Sequence, residues 1–264
     1  MKGKKTSYAF KAGIAFIGKS GVILRLAYDL HIHTALSPCA DNDMTPNNIV
    51  NMSILKGLDV IAITDHNSCA NVEACTAAAA DKQLLVIPGM EVETAEEIHV
   101  ICLFPDFGKA MEMQNWIYSR LPAYKNNEGV FGSQLIMDWQ DNIIRKEDRL
   151  LLVSATITIN EVFRIVNQQL KGLAVPAHID RQANSLISSF GVIPEDIDIS
   201  CVEIRNRSRE ALLEEHHPKL KNINKIYSSD AHYLGNISER QNFVEVDEIN
   251  AEGVLRALSV YRED

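Results

Sequence analysis

The sequence predicts an α/β protein that is built on a parallel β-sheet, open or closed into a barrel. Short β-rich runs alternate with helical patterns over most of the 264 residues, and this alternation is typical of parallel sheets. The composition agrees, because 46% hydrophobic and 23% charged residues are close to the globular average and exclude a disordered or collagen-like chain. A chain of this length can bury one large core.

The alternation consists of eight predicted strands and six predicted helices. The strands cover residues 27–33, 59–64, 84–89, 98–104, 172–177, 201–206, 225–230 and 242–246. The helices cover residues 46–57, 70–82, 107–120, 158–171, 208–216 and 250–260. The first helix has the clearest start, since Thr45 can cap it and Pro46 suits its first turn.

Two segments stand outside this alternation. Residues 1–26 are expected to form an N-terminal extension or an edge hairpin, so the main domain is expected to occupy residues 27–264. Residues 105–152 are predicted as an insertion, because the part from 121 to 152 interrupts the strand–helix order and contains a hairpin that turns near Asp141.

The apolar stretch at residues 13–26 matches two functional signals only in part. Residues 13–20 spell the phosphate-loop pattern, but the four residues between its glycines are bulky and apolar, which favours a strand. Lys19 and Arg25 interrupt the stretch well before the roughly 20 residues that a membrane span needs. We therefore expect neither a phosphate loop nor a membrane segment, and no signal peptide either, because no cleavage site follows.

Charge and cysteine content narrow the function classes further. The 35 acidic residues outnumber the 26 basic ones, which disfavours a general duplex-DNA coat but allows a nucleic-acid enzyme with bound cations. The five cysteines are odd in number and form no CxxC pair. We therefore expect a reducing, cytoplasmic environment.

Six of the eight histidines lie at or beside the ends of predicted strands. They are His31, His33, His66, His99, His178 and His232, and they are accompanied by Asp65, Glu91 and Asp230. Side chains two residues apart on a strand share a face, and the carboxyl ends of barrel strands meet at one mouth. Imidazoles mixed with carboxylates suit Zn, Mn or Fe. About nine donors exceed the four to six that one ion takes, so we predict two or three divalent ions.

These residues fall in five ordered motifs that resemble a known family. The motifs are DLHIHT (29–34), ITDHN (63–67), PGMEV (88–92), AH with an arginine three residues on (177–181) and SSDAH (228–232). Together they resemble the polymerase and histidinol phosphatase (PHP) domain over residues 27–104 and 172–246. The resemblance implies a distorted (β/α)7 barrel in a single domain, with a cluster of two or three metal ions and, in most such proteins, phosphoesterase activity.

The resemblance also implies a role for each ligand. One ion would be held by His31, His33, Glu91 and Asp230, and a second by Glu91, His99 and His178. A third would be held by Asp41, His66 and His232. Asp43 and Cys39 are alternatives to Asp41, because the residues after the first motif contain a short insertion at 37–40. Asp29, Asp65 and Glu93 are interpreted as hydrogen-bond acceptors or helix caps.

The expected reaction is hydrolysis of phosphate monoesters of small molecules or nucleotides. A hydroxide that bridges two ions would attack phosphorus, while the ions neutralise the phosphoryl oxygens. Catalytic roles are expected for Asp230, or one of the histidines, in proton transfer, for Glu91 as the bridging ligand and for Arg181 as a phosphate clamp. Arg205, Asn206 and Arg207 close a strand at the same mouth and are candidate substrate contacts.

Two other functions remain open. An exonuclease that acts on oligonucleotide ends would need a basic groove, and a non-catalytic metal-binding or regulatory PHP module would not need the full ligand set. The expected partner is therefore a phosphorylated small molecule or nucleotide, with a short oligonucleotide as the alternative. Neither a membrane nor an obligate protein partner is expected.

Overall fold

A curled seven-stranded sheet forms the centre of the protein, whose computed structural model describes residues 13–18 and 21–259. The strands are β1 Gly13–Gly18, β2 Gly21–Ile32, β3 Val60–Ile63, β4 Leu85–Glu93, β5 His99–Leu103, β6 Leu135–Met137, β7 Ile143–Lys146, β8 Leu173–Pro176, β9 Cys201–Glu203, β10 Asn224–Ile226 and β11 Phe243–Val246. The main sheet has the order β1-β2-β3-β4-β5-β8, and β11 also pairs with β2.

The helices alternate with these strands along much of the chain. The α-helices are α1 Pro46–Leu55, α2 Val72–Ala78, α3 Phe107–Tyr118, α4 Glu128–Phe131, α5 Ile159–Phe163, α6 Leu186–Phe190, α7 Glu210–His216 and α8 Ala251–Ser259. Three short 3₁₀ helices cover Arg207–Arg209, Pro218–Asn222 and Leu234–Asn236, and Arg164–Gln169 form a π-helix that continues α5. Thr45 caps α1 as predicted, since its side chain accepts a hydrogen bond from Asn48 N. None of the helices among these residues is both long and apolar enough to cross a membrane.

The sheet is only partly parallel, which differs from the prediction. β2, β3 and β4 run parallel, but β5 is antiparallel to both β4 and β8. Only residues 94–98 connect β4 to β5, whereas a parallel connection needs a dozen or more residues. The expectation of a parallel sheet was therefore wrong at β5, and also at β11, which is antiparallel to β2. As a consequence, the first residue of β5, His99, pairs with the last residue of β4, Glu93.

Contacts beyond the named strands close the sheet into a ring. β9 and β10 form a parallel pair. Ile179 N donates to Glu203 O at 2.9 Å, which joins the end of β8 to β9. Ala231, just after β10, bridges to Ile32 at the end of β2, and its carbonyl accepts a hydrogen bond from His33 N. Seven strands thus surround one interior, and the prediction of an α/β single domain with an inserted hairpin is confirmed.

Buried side chains fill both sides of this ring. Tyr28 and Leu30 of β2 face the interior together with residues of β3, β8 and α8. The register between β2 and β3 shifts between Asp29 and Ile32, so Ile32 packs on the helical side instead. A shift of this kind re-aims the side chains that follow it. Residues 31 and 33 consequently point toward the same interior end.

The insertion packs on the loop that follows β2. Its strands β6 and β7 form the predicted hairpin, with Asp141 in a left-handed conformation at the turn. Leu135 N donates to Ala35 O at 2.8 Å. Gly132 has a φ of +99°, and a Cβ at this position would lie 2.1 Å from Pro38 O. The insertion and the loop at residues 34–45 therefore form one packed unit beside the carboxyl ends of the strands.

Candidate metal centre

Eight of the nine predicted ligands meet at one end of the ring. They are His31, His33, His66, Glu91, His99, His178, Asp230 and His232, which come from the ends of β2, β4 and β8, the start of β5 and the loops after β3 and β10. Most of them line a cavity of about 400 Å³. Arg181, Arg205 and Cys39 line the same cavity.

Glu91 is the centre of this arrangement. Its carboxylate is 1% exposed and lies within 3.4 Å of five histidine rings. Oε1 faces His31 at 3.3 Å, His99 at 2.9 Å and His178 at 3.3 Å, and Oε2 faces His33 at 3.4 Å and His66 at 3.0 Å. A carboxylate that reaches two groups of imidazoles with its two oxygens has the geometry of a bridging ligand.

Several donor atoms of the centre make no hydrogen bond within the protein and are free to bind metal ions. Glu91 Oε2, His66 Nδ1 and both ring nitrogens of His178 are buried without a hydrogen bond. Unpaired buried polar atoms are costly, so such a group needs an explanation. Three sets of donor atoms lie within 4.8 Å of one another: His31, His33 and Asp230; His66, Glu91 and His99; and His33, His66 and His232. Each set could hold one ion.

Hydrogen bonds outside the cavity orient the first two histidines. Glu203 is 1% exposed, and both its oxygens lie 3.1 Å from His31 Nδ1. Ser37 Oγ donates to Asp65 at 2.7 Å and accepts from His33 Nδ1 at 2.9 Å. With a proton on Nδ1 alone, each ring would offer its Nε2 lone pair to an ion. These Nε2 atoms lie 3.2 Å apart, and this convergence suits a shared ion.

Asp230 connects the histidines to two arginines. Its Oδ1 lies 3.3 Å from His33 Nε2 and 3.5 Å from His31 Nε2. Its Oδ2 accepts hydrogen bonds from Arg205 at 3.0 Å and from Arg181 at 3.3 Å. Asp230 and His178 both have positive φ angles, 52° and 31°, which non-glycine residues rarely adopt. Backbone strain of this kind gathers at functional sites.

The charges in the centre shift several pKa values. Burial alone would raise the pKa of Glu91, but His99, His31 and His66 hold it well below its usual range. Burial would lower the pKa of His31, but Glu203, Glu91 and Asp230 raise it well above its usual range. Burial and the nearby His232 and His66 lower the pKa of His33. Without an ion, the charges of the centre therefore favour an ionised Glu91 and a protonated His31, and they disfavour protonation of His33.

The ninth predicted ligand, Asp41, lies outside the cavity. It is exposed, and its Oδ1 accepts a hydrogen bond from Asp43 N at 2.8 Å. Cys39 lies in the cavity instead, beside His66 and His232. Desolvation raises the pKa of the Cys39 thiol, but hydrogen bonds with His232 and His66 bring it down to about 6.

The candidate substrate contacts divide into two pairs. Arg181 and Arg205 line the cavity, and their side chains are 47% and 44% exposed. Asn206 and Arg207 do not line it. Asn206 caps the Arg207–Arg209 helix by accepting from Ser208 N, and the Arg207 guanidinium stacks on the Tyr227 ring at 3.9 Å.

The predicted supporting carboxylates lie behind the ligands. Asp65 accepts hydrogen bonds from Thr34 N and Thr34 Oγ1, both at 2.7 Å, and so holds the loop after β2. Asp29 accepts from Ser229 N and Ser238 N. Glu93 accepts from Ser154 Oγ at 2.6 Å. This geometry agrees with their interpretation as hydrogen-bond acceptors.

Glu203 is the residue that reasoning from the sequence missed. It also accepts a hydrogen bond from the His178 backbone N–H at 2.9 Å, so one carboxylate orients two ligands. Its signal was present in the sequence, because Glu203 stands two residues before Arg205 and a strand places both on one face. A carboxylate inside an otherwise apolar strand could have been included on that ground.

A comparison with sequence models of known families identifies the family of this chain. A sequence model of the PHP domain matches residues 29–259, which include all the residues of the centre. The chain belongs to the PHP domain family. Its motifs and its ring of strands are therefore those of a PHP domain.

Several known proteins resemble this PHP domain. A 5'-3' exoribonuclease from Haemophilus influenzae is 32% identical over 79 residues, which are 29% of this chain and 28% of that protein. The 5'-3' exoribonuclease Rnm from Salmonella typhimurium is 35% identical over 81 residues, 29% of this chain and 27% of its own length. The aligned part thus spans little more than a quarter of either relative.

A solved structure extends the likeness over most of the PHP domain. The lesion-specific endonuclease PfuEndoQ from Pyrococcus furiosus superimposes with a TM-score of 0.60 and 19% sequence identity. The match covers 89% of this chain and 56% of that one. At this level of identity the likeness concerns the fold.

Proposed function

We propose that the protein is a metal-dependent phosphoesterase that hydrolyses phosphate monoesters of nucleotides. The observation that supports this most is the set of buried donor atoms without a hydrogen bond around Glu91, with Arg181 and Arg205 at the edge of the same cavity. When bound there, divalent ions would activate water and neutralise the phosphoryl oxygens. Zn, Mn and Fe are the candidates for a donor set of imidazoles and carboxylates.

The two arginines are suited to bind the phosphate. Each guanidinium is about half exposed and touches the same atom, Asp230 Oδ2, so both groups converge on the mouth of the cavity. A guanidinium can donate two parallel hydrogen bonds to a phosphate. Arg205 and Arg181 would orient the ester, and Asp230 would hold them in position.

Asp230 is better suited to this anchoring and to metal binding than to giving up a proton. Burial raises its pKa, but His31 and the hydrogen bond to His33 hold the pKa below the usual range. An aspartate that stays ionised can bind a cation and accept from two arginines at the same time. Glu91, whose pKa is also lowered, would bridge two ions through its two oxygens.

A second candidate, an exonuclease on oligonucleotide ends, is favoured by the surroundings of Arg205. This arginine lines the metal cavity and two neighbouring cavities of about 440 and 620 Å³. Lys56 and Arg207 line the first neighbour, and Arg181 and Arg209 line the second. Basic residues on both sides of the centre could follow a phosphate backbone. The two exoribonuclease relatives add support.

A substrate screen separates these functions. Purified protein loaded with Zn or Mn would be given aryl phosphate, nucleotides and 5'-labelled oligoribonucleotides. We expect phosphate release from the nucleotides, and stepwise shortening of the labelled strand would favour the exonuclease instead. His31→Ala should abolish either activity. Silence on every substrate with metal bound would favour the non-catalytic PHP module.

A pair of variants tests the basic surroundings. Arg209→Ala should lower kcat/KM for an oligonucleotide more than for aryl phosphate if the neighbouring cavity holds the strand. Lys219→Ala is the matched control, because Lys219 is exposed, carries the same charge and lines none of the three cavities. Equal effects of the two variants on oligonucleotide cleavage would count against the exonuclease.

A further inference from the structure

The loop after β2 presents a sulfur atom, not a carboxylate, to the metal cavity. Residues 37–40 form a tight turn in which Ala40 N donates to Ser37 O at 2.9 Å. Pro38 occupies the second position of this turn, where its fixed φ is favourable. The third position is Cys39, which lines the cavity with its sulfur within hydrogen-bonding reach of His66 and His232.

The two neighbouring histidines point to an ion independently of the cysteine. His66 is 4% exposed, and its buried Nδ1 makes no hydrogen bond, although Glu91 Oε2 lies only 3.0 Å away. Donor atoms of His33, His66 and His232 all lie within 4.8 Å of one another. Two of these three residues, His66 and His232, are the histidines beside Cys39.

The backbone keeps the carboxylates of this loop away from these two histidines. Asp41 N donates to His232 O at 2.9 Å, which fixes the chain just beyond the turn. The Asp41 side chain then turns back to Asp43 N, and neither Asp41 nor Asp43 lines the metal cavity. Within the described part of the chain, no carboxylate of this loop reaches His66 and His232.

We propose that Cys39 is a thiolate ligand of the ion held by His66 and His232. The thiol proton is released to solvent as the sulfur–metal bond forms, so binding is coupled to pH. A thiolate favours Zn over Mn, which prefers oxygen ligands. This position should therefore bind zinc in preference to manganese. This inference rests on the proposed metal centre, and it goes beyond it by assigning the ligand and the metal preference.

X-ray absorption spectroscopy of the zinc-loaded, reduced protein tests the ligand directly. A sulfur neighbour at about 2.3 Å is expected in addition to nitrogen and oxygen neighbours. After replacement of zinc by cobalt, a sulfur-to-cobalt charge-transfer band should appear in the near ultraviolet. Cys39→Ser should lose both signals and bind one ion fewer or more weakly, whereas Asp41→Asn should keep both signals.

Thiol labelling gives a second readout. Cys39 is exposed, and the other four cysteines, Cys69, Cys75, Cys102 and Cys201, have no exposed surface. Native metal-free protein should therefore be alkylated at one site, and zinc should slow the reaction strongly.

The outcomes distinguish this inference from the proposed function. If zinc binds with nitrogen and oxygen neighbours only, or if Asp41→Asn and not Cys39→Ser loses an ion, Cys39 is not a ligand and the inference is overturned. The proposed metal centre would survive that result. If no ion binds at all, both are overturned.

Discussion

At the scale of single residues, one rule explains why most of the centre could be predicted: polar residues at or just beyond the ends of predicted strands are expected to meet at one mouth of the sheet. Six histidines lie beside strand ends in the sequence, and the structure brings all six around Glu91 and Asp230. The rule works because residues at or shortly after the carboxyl ends of the parallel strands lie at one mouth of the ring. His99 reaches the same mouth from the first residue of β5, since β5 is antiparallel to β4. The rule fails for Cys39 and Asp41, because they lie in a loop whose turn geometry decides which side chain reaches the cavity.

Glu203→Gln should weaken metal binding while leaving the fold intact. The carboxylate accepts from His31 Nδ1 and His178 N, and an amide of the same size offers one acceptor oxygen and no charge. Loss of an outer hydrogen-bond partner of a ligating histidine typically costs about 10–100-fold in metal affinity. Competition with a chromophoric chelator measures this loss.

Glu245→Gln is the matched control for that substitution. Glu245 is an exposed glutamate on β11, and we expect its replacement to leave metal affinity unchanged. Equal affinities in the two variants would show that Glu203 does not support the ligands. Circular dichroism spectra should coincide for both variants and the parent protein.

At the scale of elements, the positions of the strands could be predicted from the sequence, but the direction of β5 depends on the length of the connection before it. The strands and most helices lie within a few residues of their predicted positions, since apolar runs and caps mark them. The direction of β5 was missed because strand–helix alternation was extended across a link of five residues, 94–98. The predicted helix at 158–171 is also divided into α5 and a π-helix.

Gly132→Ala should destabilise the protein by about 1–3 kcal/mol. A methyl group there would lie 2.1 Å from Pro38 O, so the insertion or the turn at residues 37–40 must move. Because this turn holds Cys39 at the cavity, metal affinity should fall as well. Urea unfolding and chelator competition measure the two effects.

Gly191→Ala is the control for Gly132→Ala, because it carries the cost of a positive φ without a steric clash. Gly191 has a φ of +72° at the end of α6, and a methyl group added there would have no atom within 4 Å. We expect a smaller loss of stability there and no change in metal affinity. If both alanine variants behave alike, the insertion does not support the turn.

At the scale of the whole molecule, the ring of strands gathers charge at one end and apolar side chains at the other. Val254, Leu255 and Leu258 of α8 pack into the interior core, while the buried carboxylates and histidines occupy the opposite mouth. The formal charge of −9 therefore omits the cations that the mouth is built to hold. Binding of these ions should contribute to the stability of the entire domain.

Metal-dependent stabilisation should increase as the pH rises from about 6 to 8. In the metal-free protein, burial would lower the pKa values of His31, His66 and His99. Nearby carboxylates outweigh burial and raise these pKa values, because they favour the protonated imidazoles. Their contribution to stability is complete below about pH 6.5, the unfolded value, and is lost as the pH passes the raised values. Metal binding has the opposite dependence, because ligating imidazoles must be neutral.

Melting curves with and without zinc across this pH range measure the difference. Free zinc at a fixed concentration, set to 100 times the Kd at the lowest pH, should add about 2.7 kcal/mol to the free energy of unfolding at that pH. The gain in melting temperature should widen with pH, since the metal-free protein loses stability while the loaded protein binds more tightly. Calcium at the same ionic strength is the control, because it prefers oxygen ligands over imidazole. A zinc-dependent gain that shrinks as the pH rises would show that the histidines are not the ligands.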